Sequence, residues 1–165
     1  MKKNRRPNNK ISGHFSKRDF VCRCGHCNSA IKISLGLIGG LEMLRALSGN
    51  RVNIIQGYMC PDAAEKLGSL KRNYYTMGVA ADITIDNVPV IDVFRMAHQV
   101  PEFRGIGLNL DKQCVHVDTR KAPDAVVWVE EHNHLVTVDD TNRHRYIPDP
   151  IPVPSADFFS DTSDE

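Results

Sequence analysis

Apolar runs and chain breakers divide the sequence into a series of predicted helices and strands. Between Ile31 and Leu47, the residues Leu37, Ile38, Leu41, Leu44 and Leu47 recur at the spacing that lines one side of an α-helix, and Gly49 supplies its stop. Gly36, Gly39 and Gly40 fall inside that helix. Each weakens it by roughly 1 kcal/mol relative to alanine, so close approach of another element is expected to hold it. Val52–Ile55 reads as a strand, Pro61–Leu67 as a short helix opened by proline, and Ala80–Ile85 as a second strand. Val90–His98 is predicted helical. Further strands are predicted at Arg104–Leu108, Cys114–Val117, Val126–Val129 and Leu135–Val138, the last two joined as a hairpin through the polar turn Glu130–His134. From Pro148 onward, Pro148, Pro150, Pro152 and Pro154 alternate with other residues and exclude regular structure, leaving Phe158 and Phe159 as the anchors of that segment. No internal repeat is present. The expected organisation is a basic flexible arm over 1–12, a folded α+β domain over 13–138 with a small antiparallel sheet flanked by helices, and a Pro-rich acidic tail over 139–165.

Composition agrees with one hydrophobic core, because 165 residues with 41% hydrophobic and 25% charged content close one core and hardly two. A net charge of +1 gives no reason to expect a nucleic-acid partner. The ends are polarised. Lys2, Lys3, Arg5, Arg6 and Lys10 make the start basic, whereas Asp149, Asp157, Asp161, Asp164 and Glu165 make the end acidic. Such blocks are either solvated tails or docking segments for a protein partner of opposite charge. No apolar run approaches the roughly 20 residues of a membrane helix, and the basic start is not followed by the apolar segment of a signal peptide. A soluble chain is expected, without a membrane partner.

Two strands carry residues suited to a metal. Alternation places His116 and Asp118 on one face of their strand, and Asp82 follows the turn at Gly78, so neighbouring strands could aim Asp82 and His116 at one point. Imidazole and carboxylate suit zinc, and a catalytic zinc takes three protein ligands plus a water. The ordinary alternative is a turn-capping Asp82 and a hydrogen-bonded His116. Cys22, Cys24 and Cys27, with His26 among them and Cys60 following the first strand, form a second group. They read as a structural zinc site, a disulfide or reduced thiols, and the lack of an export signal favours the metal or the thiols. Cys114 reads as a buried strand residue.

Five segments in order carry a family resemblance. They are His14-Phe15-Ser16 with Phe20-Val21-Cys22-Arg23-Cys24-Gly25, then Leu41-Glu42-Met43-Leu44-Arg45, then Gln56-Gly57-Tyr58-Met59-Cys60-Pro61, then Asn73 through Asp82, and finally Gly105-Ile106-Gly107 with Val115-His116-Val117-Asp118-Thr119-Arg120. From Gly13 to about Trp128 the chain resembles the zinc D-Ala-D-Ala carboxypeptidase family of peptidoglycan peptidases, which shares its fold with the hedgehog signalling domain. The resemblance implies that Asp82 and His116 correspond to zinc ligands and that Asp118 lies beside the metal, where it would orient or activate water. It also implies a third ligand, histidine, at position 75, where this chain has Tyr75. Next to Tyr58, the family's substrate-anion arginine is replaced by Met59, and its serines are replaced by Gln56 and Asn73. Phenol is a poor zinc ligand unless ionised, and methionine cannot supply arginine's charged fork.

Other side chains could compensate. His98, His132, His134 and His144 are candidate substitute ligands, and Lys66, Arg72 and Arg104 are candidate substitute cations. Two functions follow from the resemblance. One is a catalytically impaired domain serving as a binding or structural module, engaging peptidoglycan peptide or an assembly protein in a phage particle or cell-wall complex. The other is an active zinc peptidase cleaving peptidoglycan stem peptides with a substituted ligand set. A hedgehog-like protein-interaction domain is the third reading. The expected location is the cytoplasm of the producing cell or a phage virion.

Overall fold

A computed structural model describes residues 9–28 and 30–148. The first eight residues, most of the acidic tail, and Phe158 and Phe159 lie outside the described residues. In chain order, a short 3-10 turn (Lys17–Phe20) precedes α1 (Leu35–Ser48), β1 (Val52–Gln56), α2 (Pro61–Lys66), β2 (Ala80–Ile85) and α3 (Val90–Ala97). Then come β3 (Gly105–Asn109), β4 (Cys114–Asp118), β5 (Val126–Glu131), β6 (His134–Thr137) and α4 (Arg143–Tyr146). The fold is α+β, as the sequence predicts. Its six-stranded sheet has the order β1-β2-β4-β3-β5-β6 and is antiparallel except where β5 runs parallel to β3. That pair arises because the connection after β4 crosses the end of β3, so β5 docks on the far edge of β3.

One face of the sheet is core. Ala81, Ile83 and Ile85 of β2, Ile106 and Leu108 of β3, Val115 and Val117 of β4, and Val127 and Val129 of β5 point into it by strict alternation. Against them pack Leu37, Ile38, Leu41 and Leu44 of α1 and Val93, Phe94 and Met96 of α3. Each such large side chain contributes roughly 1.5–3 kcal/mol on burial. The helix α1 begins later than its apolar spacing predicts because Ser34 caps it, accepting the Gly36 N–H at 3.2 Å. Gly49 ends it in a left-handed conformation at φ 66°, its N–H bonded to the Arg45 carbonyl. The core also reaches into the stretch assigned to the tail: α4 follows β6, and Ile147 is 1% exposed within the core.

Alternation sends the other residues of the same strands to the opposite face. There Asp82 pairs in register with His116, His116 with Gly107, and Gly107 with Trp128, forming a row across four adjacent strands. A second row joins Ala80, Asp118, Gly105 and Val126. The candidate chemistry occupies these rows.

The expectation of close approach at the α1 glycines holds at Gly40. A Cβ there would meet the Phe103 ring at 2.5 Å, whereas nothing lies within 4 Å of one at exposed Gly39. Gly39→Ala is therefore expected to stabilise the protein by up to about 1 kcal/mol through helix propensity. Gly40→Ala is expected to destabilise it by about 1–3 kcal/mol through overpacking. Urea titration of the two variants beside wild type checks the opposite signs.

The N-terminal segment is clasped to α1. The His14 N–H donates to Glu42 Oε1 at 2.8 Å, and His14 Nδ1 lies 2.6 Å from Glu42 Oε2. Partial burial of the Glu42 carboxyl works against its ionisation, but hydrogen bonds from Ser12 and His14 hold it below the ordinary glutamate range. A depressed carboxyl contributes stability that is present above its unfolded pKa, about 4.3, and is lost as pH falls through the lower folded value. Glu42→Gln should accordingly lower stability at pH 7 and flatten the acid limb of the stability profile below about pH 4. Denaturant unfolding across that range measures it.

Candidate functional site

The loop before β2 presents Tyr75. Asn73 and Thr76 fix it reciprocally: the Asn73 N–H donates to Thr76 Oγ1 and the Thr76 N–H to Asn73 Oδ1, both at 2.9 Å. The asparagine standing where the family has serine thus caps the turn itself. Gly78 closes the loop at φ 72°, packed so tightly on the Lys32 carbonyl that no side chain would fit. The chain enters β2 directly after it, which sets Asp82 opposite His116.

The three residues proposed from the sequence as a metal set do come together. The Tyr75 hydroxyl donates to Asp82 Oδ1 at 2.6 Å and lies 2.9 Å from His116 Nδ1, and His116 Nδ1 is 3.0 Å from Asp82 Oδ1. On the other edge of the ring, His116 Nε2 is 2.9 Å from Asp118 Oδ2. Both imidazole nitrogens are engaged. Burial opposes a charge on His116, but hydrogen bonds to Asp118 and Asp82 and their charges raise its pKa above the ordinary histidine value. When protonated, the ring donates from Nδ1 towards Asp82 and the Tyr75 oxygen and from Nε2 to Asp118.

Asp118, which the resemblance sets beside the metal, is bonded to both His116 and Arg120. It is 0% exposed, and it sits beneath His116 rather than on the cleft. Arg120 holds both its oxygens, with Nε donating to Oδ1 at 2.8 Å and Nη2 to Oδ2 at 2.5 Å, and the Arg120 backbone N–H adds a bond at 3.0 Å. Burial alone would raise this carboxyl. The bonds from Arg120 and His116 outweigh it and bring the pKa down to about 2. Both its oxygens are engaged by Arg120 and His116, so the group orients the imidazole.

Arg120 and Trp128 are the structural residues that sequence reasoning passed over. The Arg120 guanidinium lies 4.5 Å from the centre of the Tyr74 ring and 5.4 Å from that of Trp128, and the Trp128 ring is 5.3 Å from His116. Glycines make room for both. A Cβ at Gly107 would collide with the indole, and one at Gly105 with Asp118 and Arg120. The Gly-x-Gly spacing on a strand was the available signal, since it leaves two gaps on one face.

A cleft of about 130 Å³ opens above this array, lined by Tyr75, Asp82, Gly107, Asn109, Lys112, Cys114, His116, Trp128 and Glu130. The Asn109 amide donates to Glu130 at 2.7 Å, and Asn109 Oδ1 accepts the Lys112 N–H at 2.8 Å, so the rim is internally fixed. Burial and the Asp82 charge push the Cys114 thiol up to about 11, in keeping with the buried strand residue expected. Met59 and Tyr58 are not in this lining. Both are buried, and Met59 borders a separate cavity beside the cysteines while its N–H donates to the Tyr75 carbonyl at 3.4 Å. None of the candidate substitutes lines the cleft either: Lys66 borders the cysteine cavity, Arg104 bonds the Pro123 carbonyl, and the His132 backbone bonds Asp111. His98 lies against Arg143.

The array does not fit zinc as it stands. The donors are one carboxylate, one imidazole and a phenol that burial, followed by the Asp82 charge, pushes far above its ordinary pKa. The phenol hydrogen-bonds to the carboxylate and approaches the ring nitrogen, so Tyr75 Oη, Asp82 Oδ1 and His116 Nδ1 are engaged with one another. Cys22, Cys24, Cys27 and Cys60 also come together, elsewhere in the fold.

The family profile described as Peptidase M15 matches residues 13–118. Among curated proteins, the peptidoglycan L,D-endopeptidases MepK of Escherichia coli (strain K12), Escherichia coli O157:H7 and Shigella flexneri are each 29% identical to it over 119 residues, covering 68% of this chain. The chain spans 65% of the length of these relatives. No solved structure gives a significant match. Among the described residues, no helix is long and apolar enough to cross a membrane.

Tyr75→His would replace the phenol with an imidazole between Asp82 and His116. Zinc content is expected to rise by one ion per chain over wild type, read by elemental analysis of the two proteins purified side by side.

Proposed function

We propose, since the chain belongs to the peptidase M15 family, that it is a non-catalytic member whose cleft binds a peptidoglycan stem peptide without cutting it. Members of the family are zinc-dependent. The observation that carries this reading is the Tyr75 hydroxyl lodged against Asp82 Oδ1 and His116 Nδ1, at 2.6 and 2.9 Å. A peptidase of this kind uses zinc to polarise the scissile carbonyl and activate water, and here the third ligand is replaced by a hydrogen-bond donor that ties the other two together. Met59 adds to this, because no arginine stands at the position where the family resemblance expects the substrate anion to be held.

Binding asks less of the same residues. Trp128 offers an apolar wall, Lys112 a cation for a peptide carboxylate, and the Asn109–Glu130 pair a fixed polar rim. Peptidoglycan is named as the substrate of the MepK relatives, which supports a stem peptide as the ligand class here. A module that grips wall peptide would serve in a cell-wall complex or a phage particle, with Tyr75 holding the cleft closed to metal.

Calorimetric titration with purified muropeptides, paired with chromatography of the same mixtures after long incubation with zinc, tests the reading. Saturable binding without new products is expected, and Trp128→Ala should weaken it by about tenfold, equivalent to about 1.4 kcal/mol. Product release by wild type that disappears in Asp82→Ala and His116→Ala would overturn it. That result would assign an active zinc peptidase with a substituted ligand set.

A further inference from the structure

Away from the cleft, four cysteines from two segments converge. Cys22, Cys24 and Cys27 lie on the loop after the 3-10 turn, and Cys60 precedes α2. Their four sulfurs all lie within 4.8 Å of one another, and the Cys24 and Cys60 sulfurs are 3.9 Å apart. Tetrahedral zinc with four thiolates at about 2.3 Å places its sulfurs about 3.8 Å apart. A disulfide would need about 2.05 Å and would pair sulfurs by twos, which does not account for four converging on one point.

The backbone around them is arranged as a metal knuckle requires. Cys24 and Cys27 are separated by two residues, and Gly25 between them has φ 74°, the left-handed turn that brings both sulfurs to the same side. The Cys27 N–H donates to Cys24 Sγ and the Cys60 N–H to Cys22 Sγ, each at 3.3 Å. Two of the four sulfurs thus already receive amide donors suited to thiolates. Three of the cysteines are only half-buried, so their grouping is not explained by apolar packing alone. Four thiolates around a divalent ion carry a net charge of about −2, and Arg23 and Lys66 border the same cavity of about 380 Å³. Arg23 also reaches across to donate to the Ile54 carbonyl of β1 at 2.9 Å, anchoring the loop at its second point.

From these observations we propose that Cys22, Cys24, Cys27 and Cys60 bind one structural zinc ion, which staples the N-terminal loop to the connection between β1 and α2. Four protein ligands leave no open position, so the ion has no catalytic part. Its effect on the cleft is mechanical. Cys60 adjoins Met59, whose N–H bonds the Tyr75 carbonyl, so the staple braces the backbone that carries Tyr75. The proposal stands apart from the reading of the cleft, since it concerns a different set of ligands.

The test is elemental analysis of wild type, the Asp82→Ala/His116→Ala variant and the Cys24→Ser/Cys27→Ser variant, all purified under reducing conditions. One zinc per chain is expected in the first two and loss of zinc in the third. Should the cysteine variant fold poorly, cobalt titration of metal-stripped wild type provides the second measurement, with thiolate-to-cobalt charge-transfer absorption saturating at one equivalent. Zinc that persists without the cysteines, a wild type that holds none, a cobalt complex lacking that absorption, or a native disulfide found among these cysteines would each overturn the proposal. Zinc that instead leaves with Asp82 and His116 would overturn it and would also speak against a metal-free cleft.

Discussion

The buried carboxylate of Asp118 is the constraint on which the site depends. Leaving one partner of such a buried pair unmatched would cost about 3–5 kcal/mol, so the surrounding residues have to deliver charge and donors to it. Arg120 delivers both from two residues away, gripping the two oxygens while its own backbone adds a third bond. The guanidinium can reach only because Gly105, opposite Asp118 on the neighbouring strand, has no side chain. The arginine then lies beside Tyr74 and Trp128, and the indole lies over Gly107 beside His116. Remove the glycine gaps and neither the charge pair nor the aromatic wall can form.

Local patterns in the sequence foretell the elements of this arrangement better than their depth. The strand Ala80–Ile85 has the bounds its alternation predicts, and the meeting of Asp82 with His116 follows from two strands whose polar residues share a face. The same alternation puts Asp118 on that face, yet it cannot tell a carboxylate at the cleft from one beneath it. That difference is made by Arg120 and by the gap at Gly105, which are contacts between strands. The parallel pairing of β5 with β3 is invisible for a similar reason, since it depends on which edge of the sheet a connection reaches. Trp128 carries no polar signal, so as a sequence position it reads as one more apolar strand residue. Met59 follows the motif but turns its side chain towards the cysteines, a direction set by tertiary packing. Gly39 and Gly40 are neighbours with the same propensity cost, and only the Phe103 ring separates their roles. At Ile147 the run of prolines just beyond masks a residue that completes the core.

Two kinds of structure meet at the cleft. The floor is sheet, with Asp82, His116 and Trp128 in register across β2, β4, β3 and β5, and their spacing is fixed by the same backbone bonds that hold the core together. The roof is loop, held by the Asn73–Thr76 turn, the tight bend at Gly78 and the bond from Met59. Floor and roof can therefore change independently: a substitution at position 75 alters the donor set without asking any strand to move. Asp118 holds His116 through Nε2, the ring nitrogen that does not face the loop.

That separation gives Tyr75 a meaning outside chemistry. Tyrosine and histidine codons differ only in their first base, so a single transition exchanges the phenol for an imidazole. The sheet that would receive the imidazole is held by its buried charge and its core, neither of which includes position 75. One base change would thus alter the donor set of the cleft while the fold that carries it stays in place.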